Sequence, residues 1–191
     1  MRLLCLLVVA ATAGGCAEAP VSGSNHRPEE ISRGQYLTGL LGCAGCHTQG
    51  MLINAPANSH LAGSDIGIVY TAYLAEVPPG IVFPGNITPH DETGLGLWRR
   101  AEIIRNIRFG IDRHGRQQLP VMPWPGYAQM SEADAGAIAS YLMSLPPIRH
   151  KVPENVQEGE VSPYRYVRYG IYVFEPNGEV RQVHGADTGT P

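Results

Sequence analysis

Cysteine is scarce in this chain, and its placement rules out a common use of the residue. Of the 4 cysteines, Cys5 and Cys16 lie near the start, and only Cys43 and Cys46 lie beyond them. A structural zinc site would need a second ligand pair that the body of the chain does not supply. Long apolar runs are scarce too: residues 3–13 are apolar apart from Thr12, too short a stretch to span a bilayer, and no second run comes after them. Nor is there a basic block. Lysine occurs once, at Lys151, and the formal net charge is −3, which argues against nucleic acid as a partner. The chain beyond the opening residues is enough for one domain and an appendage.

Those opening residues have an arginine, a short apolar core and then Gly14, Gly15 and Cys16, the layout of a secretory signal. The mature chain is therefore expected to work in the periplasm. Cleavage before Cys16, supported by the small residues Ala13, Gly14 and Gly15, would leave an acylated N-terminal cysteine that tethers the protein to a membrane. Such signals usually carry leucine where Ala13 stands, and ordinary cleavage after Ala19 is the alternative. The expected organisation is a lipoprotein-type signal at 1–15, a flexible leader at 16–27, a main domain at 28–148 and a C-terminal extension at 149–191.

The chain is organised around Cys43-Ala44-Gly45-Cys46-His47. Two cysteines separated by two residues and followed at once by histidine form the c-type haem attachment pattern. The chemistry explains the spacing. Each thiol adds across a haem vinyl group, one turn of backbone sets both sulfurs at neighbouring ring edges, and the adjacent imidazole points at the iron. One covalent haem c with its iron is the expected cofactor. With both thiols so used, no structural disulfide is available, and the haem supplies apolar surface for a small domain to bury. A thioredoxin-like reading wants a βαβ context, whereas the residues before Cys43 are helical in pattern and those after His47 are rich in glycine, asparagine and proline.

Pro28, Glu29 and Glu30 suit a first helical turn, and Ile31, Leu37, Leu40 and Leu41 place an apolar stripe on one face up to the motif. Gly34 inside that helix predicts a close helix crossing. From 48 to 97 glycine and proline break any long helix, and β-branched and aromatic runs at 66–71 and 81–83 predict a small hairpin in a loop-rich wrap around the haem. Residues 86–98 are dense in turn formers. Asn86, Thr88 and Trp98 are candidate donors to the two haem propionates, against the plainer reading of a solvated loop with one packed tryptophan.

Residues 99–109 are helical by pattern, with Ile103, Ile104 and Ile107 apolar and Gly110 in the stop position. Six arginines lie between 99 and 116, either a solvated face or groups that dock an acidic partner or pair with propionates. Residues 119–125 hold three prolines, which predicts an extended, rigid path presenting Met122 at a fixed height. Ser131 caps a last helix with Ala135, Ile138, Ala139, Leu142 and Leu145 on one face, stopped by Pro146 and Pro147. In the extension, 169–174 and 179–184 flank a turn at 175–178, a hairpin signal without evident chemistry. The tyrosines from 164 onward suit packing against the domain or a partner surface, and 185–191 has the composition of a disordered tail.

This order of helix, CxxCH, long loop, helix, proline-bracketed methionine and capped helix resembles class I cytochrome c, over roughly residues 28–148. The resemblance implies a mainly α fold of that class, here with a loop-rich insertion and a small C-terminal β-hairpin extension. It implies first and last helices that cross beside the haem edge, and His47 and Met122 as axial ligands. Asn-Ile-Thr-Pro at 86–89, Thr93-Gly94-Leu95-Gly96-Leu97-Trp98, Val121-Met122-Pro123-Trp124 and Leu145-Pro146-Pro147 are similar to the cytochrome c subunits that accept electrons from bacterial periplasmic and membrane-bound dehydrogenases. Many of those hold several CxxCH modules where this chain has one. The implied function is one-electron transfer rather than enzymatic catalysis, from a dehydrogenase donor toward a cytochrome or oxidase acceptor of a respiratory chain. Two alternatives stand beside it: a haem peroxidase or gas sensor with a displaceable distal ligand, and a permanent relay subunit of a membrane dehydrogenase complex.

Other side chains fit the distal position less well. Met51 lies four residues beyond His47, about 14 Å at full extension, too little to pass round the haem edge. Met143 lies within the last helix, where core packing is the plainer role. Met130 is the serious rival, but it lacks the prolines that frame Met122. His114 sits in a glycine- and arginine-rich turn, and His60, His90 and His150 have no such frame; bis-histidine ligation stays as the alternative ligand set.

Overall fold

The computed structural model describes residues 27–71, 78–169, 171–174 and 180–183. The signal, the leader up to residue 26 with the expected lipidation residue Cys16, the 175–178 turn and the 185–191 tail lie outside the described residues. Among the described residues five helices run in order: α1 (Pro28–Leu40), α2 (Cys43–His47), α3 (Arg100–Phe109), α4 (Trp124–Tyr127) and α5 (Glu132–Ser144). A single 3-10 turn, Met51–Ile53, lies after α2.

α1 starts as its sequence predicts, with Pro28 in the first turn and Glu29 and Glu30 at the positive end of the helix. It crosses α5 at Gly34, where an added Cβ would run into the Ala137 carbonyl and the Tyr141 side chain. Glycine is required by the approach and not by the backbone conformation. Glu30 then joins three helices, accepting from the Arg100 guanidinium of α3 at 2.6 Å and from the Ser140 hydroxyl of α5 at 3.0 Å. Leu37, Ile103, Ile104, Ile138 and Leu142 fill the core between these helices, with Leu61 and Leu95 from the intervening loop. Leu40 corrects the stripe read along α1: it is 67% exposed. At ~100° per residue it falls on the far side of Leu37 from Gly34, Thr38 and Leu41, away from the buried face.

The terminal signals of the other helices act as read. Gly110 ends α3 at φ +66°, the Glu102 carboxylate accepts from the Arg99 N–H at 2.8 Å, and the Ser131 hydroxyl caps α5 by accepting from Asp134 N–H at 3.0 Å. β1 (Gly67–Val69) and β2 (Ile81–Val82) pair antiparallel, Ile68 opposite Val82, as the expected hairpin. A strand of the extension, β3 (Tyr166–Val167), adds to β1 in parallel and gives the order β2-β1-β3. β4 (Ile171–Phe174) and β5 (Val180–Val183) form a separate antiparallel pair with Ile171 opposite Val183. The result is a mostly helical domain with a small three-stranded sheet.

Residues 119–125 do not take the extended path that three prolines predict. Val121 N–H donates to the Leu119 carbonyl and Trp124 N–H to the Met122 carbonyl, both at 2.8 Å, which makes two three-residue turns centred on Pro120 and Pro123. Pro123 has φ −79° and ψ 54°. Proline fixes φ near about −65° but leaves ψ open, and these values belong to the inverse γ-turn rather than to polyproline II. Pro125 then sits in the first turn of α4, where no N–H is needed.

Candidate haem site

Gly42, at φ +68°, breaks the chain out of α1 and starts α2, so Cys43, Cys46 and His47 share one short helical turn. His47 Nδ1 lies 2.7 Å from the Gly85 carbonyl oxygen. A carbonyl only accepts, so Nδ1 carries the proton and Nε2 keeps its lone pair for a metal. Burial lowers the His47 pKa, and the bond to Gly85 offsets part of that; the net direction favours the neutral, ligating form. Burial raises the pKa of both thiols, helped at Cys43 by the neighbouring Cys46. That is the opposite of the lowered pKa of a dithiol redox motif. Among the described residues no group of three or more His, Cys, Asp or Glu is placed to hold a metal ion.

The wall behind His47 is built from the loop. The His47 carbonyl accepts from Gly63 N–H at 2.8 Å, and the Thr48 hydroxyl accepts from Leu61 N–H at 3.0 Å. Asn86 and Thr88, candidate propionate donors by sequence, have other work. Asn86 Nδ2 donates to the Ile148 carbonyl at 2.7 Å and to the Thr93 hydroxyl at 3.1 Å. The Thr88 hydroxyl donates to Asn86 Oδ1 at 2.7 Å and accepts from Ile148 N–H at 3.1 Å. Every donor hydrogen of the two side chains thus has a protein acceptor, because the chain after α5 returns to the loop and brings its backbone groups with it. Trp98 is half-buried and packs against the main core.

Met122 is half-buried between its two proline turns. Met130 and Met143 pack against the main core, and Met51 is 39% exposed in the 3-10 turn. The arginines of 99–116 are largely tied down. Arg99 pairs with Glu102, Arg100 with Glu30 and Arg116 with Asp112. Arg105 and Arg108 bond the carbonyls of Asp112 and Ala128. Their Nε groups, Asn106 Nδ2 and Trp124 Nε1 are buried without a protein acceptor. An anionic group such as a propionate, seated against α3 and α4, would satisfy such donors. Nothing in the sequence around Trp124 marks its indole N–H as one of these buried donors. The CxxCH turn, a histidine with Nε2 free and these donors fit a covalent haem.

The family model described as Cytochrome c matches residues 31–146. Over 125 residues, 65% of its length, the chain is 34% identical to a nicotinate dehydrogenase subunit of Pseudomonas putida and 33% identical to the fructose dehydrogenase cytochrome subunit of Gluconobacter japonicus. It is 31% identical over 113 residues, 59% of its length, to the cytochrome c subunit of the quinone-type alcohol dehydrogenase of Gluconobacter oxydans. The matches span 9%, 23% and 21% of those proteins, so the chain corresponds to a small part of each. The chain belongs to the cytochrome c family, whose members bind haem c and its iron covalently.

Proposed function

We propose that this chain is a periplasmic one-electron carrier that takes electrons from a dehydrogenase and passes them toward a cytochrome or oxidase. Its haem is held by thioethers at Cys43 and Cys46 and its iron by His47 and Met122. The observation that carries the reading is the bond from His47 Nδ1–H, on the turn that bears both cysteines, to the Gly85 carbonyl, since it leaves Nε2 as the imidazole nitrogen available for ligation. When bound, haem c supplies a reversible one-electron change between ferrous and ferric iron. The chain's own residues hold two thiols and an imidazole on one short turn, whose Cys43 and Ala44 pack against the main core, and set Met122 between two proline turns. The dehydrogenase partner is supported by the three relatives, each a dehydrogenase subunit. The lipid anchor at Cys16 rests on the sequence of the leader.

The ligand set is tested by Met122→Ala. The oxidised protein is expected to lose its weak near-infrared sulfur-to-iron band, its reduction potential to fall, and the reduced protein to bind carbon monoxide. Retention of that band in Met122→Ala with its loss in Met130→Ala would move the assignment to Met130. Covalent attachment is tested with acidified acetone, which is expected to leave all colour on the polypeptide. Cys16→Ser is expected to release the chain from the membrane with its haem still attached, and unchanged membrane association would remove the anchor. A permanent relay subunit is the second reading. Tyr36, Leu40 and Ile53, 59%, 67% and 45% exposed on the segments flanking α2, favour it. A stoichiometric dehydrogenase partner retained through mild extraction would select it over a free carrier.

A further inference from the structure

The C-terminal extension lies beyond the residues that the family model matches, yet its first stretch runs along the strand that leads to Gly85. Val156 and Ile81 exchange two backbone hydrogen bonds of 2.9 Å. Asn155 Oδ1 accepts from Phe83 N–H at 2.9 Å. At the far end, Ile148 is bonded through both its carbonyl and its N–H to the side chains of Asn86 and Thr88. Between these points Val152 packs over Gly63, the residue whose N–H holds the His47 carbonyl. The residues on either side of Gly85 are therefore fastened to residues 148–156, while its carbonyl faces His47.

These contacts converge on one atom. The Gly85 oxygen is the acceptor for His47 Nδ1–H, and the chain on either side of it is held at Phe83 by Asn155 and at Asn86 by Ile148. Asn86 is 5% exposed and Thr88 fully buried. Polar groups so enclosed keep their partners, because a buried donor left unpaired is costly. The strength of the Nδ1–H bond in turn sets the basicity of Nε2. A firmer bond gives the imidazole more anionic character, favours ferric iron and lowers the reduction potential.

We propose that residues 148–156 act as a clamp that holds the Gly85 carbonyl against His47 and so sets the reduction potential, with Asn86 and Thr88 as the positioning residues through which it works. The inference rests on His47 as iron ligand. It is tested in the full-length, haem-loaded protein by redox titration and by solvent exchange of the His47 Nδ1–H in the ferric NMR spectrum. Asn86→Ala is expected to speed that exchange and raise the potential. At a fixed applied potential the ratio of reduced to oxidised protein would rise about tenfold, or about 59 mV. Thr88→Val, nearly isosteric, is expected to shift both readings the same way by less, and Thr88→Ser to restore them, which keeps the test open if Asn86→Ala fails to fold. Asn155→Ala, in the clamp itself, is expected to behave like Thr88→Val. Val161→Ala, on the extension but 83% exposed, is expected to change neither reading. Folded Thr88→Val and Asn155→Ala proteins with unmoved potential and exchange would overturn the clamp alone. Absence of hyperfine-shifted His47 ring signals in the unsubstituted protein would overturn the ligand assignment and the clamp with it.

Discussion

The two sides between which the haem iron would be held differ in what fixes them. On the His47 side the bonds join residues far apart in the chain: Gly63 to His47, His47 to Gly85, Asn86 to Ile148, His150 to Ala62. Most of this wall is buried, with Ser64 and Thr88 fully so. On the Met122 side the bonds are local, from Val121 to Leu119, Trp124 to Met122 and Ala128 to Trp124, and Pro123 and Pro125 are exposed. The bonds that reach further there run from the Arg108 guanidinium to the Ala128 carbonyl and, over a shorter span, from Gln118 N–H to the Gly110 carbonyl. A ligand fixed by distant contacts is released only when the fold opens, whereas one fixed by local stiffness is released by a motion of its own loop. With His47 and Met122 as the proposed ligands, the histidine side is expected to be the permanent attachment and the methionine side the one that opens first.

The largest effect is expected from breaking the histidine wall at Gly63. This residue has φ +87°, and a Cβ there would meet Val152, Asn86 N and the Gly85 carbonyl carbon. Gly63→Ala adds left-handed backbone strain to overpacking, on the order of 3 kcal/mol together. Denaturant unfolding of the haem-loaded protein checks it, and a loss below about 1 kcal/mol would mean that the wall yields as easily as the loop opposite.

The same contrast explains what could be read from the sequence. The CxxCH turn, the three long helices, the Gly34 crossing and the Gly110 stop are local patterns, each written in a few neighbouring residues, and each appears where its pattern lies. The β1–β2 pairing was also legible in short-range composition. The features that escaped depend on residues far apart. Asn86 and Thr88 are polar and turn-forming, which suits a cofactor donor as well as a backbone fastener; only the return of Ile148 to the loop decides between them. The parallel addition of β3 to β1 left no mark on either segment. Leu40 is apolar yet 67% exposed, because hydrophobicity alone does not carry a residue's angular position on the helix. The proline segment misled because proline restricts φ and leaves ψ to the surrounding turns.

A middle-sized effect is expected at Asp112, which fastens the turn between α3 and the methionine loop. Its carboxylate accepts from His114 N–H at 2.8 Å, Arg116 N–H at 2.9 Å and Arg116 Nε at 2.8 Å. Burial pushes its pKa up, but the Arg116 and His114 bonds pull it down further, and the net direction is below the ordinary 3.8. A carboxylate with a depressed folded-state pKa contributes stability that is complete above its unfolded pKa and is lost as pH falls through the folded one. Glu30, Glu102 and Asp134 are shifted in the same direction, so unfolding midpoints are expected to fall together below about pH 4. Asp112→Asn keeps the carbonyl-type acceptor and loses the charge. Arg116 is well exposed and its pairing screened, so the cost at neutral pH is about 1 kcal/mol, with a shallower acid limb. An unchanged acid limb would place the acid sensitivity in the helix pairs alone.

The smallest change in stability is expected from Pro123→Ala, and it bears most directly on the difference between the two sides. The φ and ψ of Pro123 are open to alanine, and the bond across its turn, from Trp124 N–H to the Met122 carbonyl, involves no atom of the proline ring. What alanine removes is stiffness, worth about 0.5 kcal/mol through the larger freedom of the unfolded chain. If local stiffness holds Met122, the same freedom is available to the loop while the rest of the domain stays folded. The open population then rises about twofold for that energy. Carbon monoxide binding to the reduced protein should accelerate by the same factor, with the helix core and the covalent haem unaffected. Pro120→Ala, at the centre of the preceding turn, should behave alike. Arg108→Leu supplies the contrast, because it cuts the tie to Ala128 from α3 and leaves both proline turns intact. Faster carbon monoxide binding in Arg108→Leu, with none in either proline variant, would show that the methionine loop is held from a distance after all, in the manner of the histidine wall.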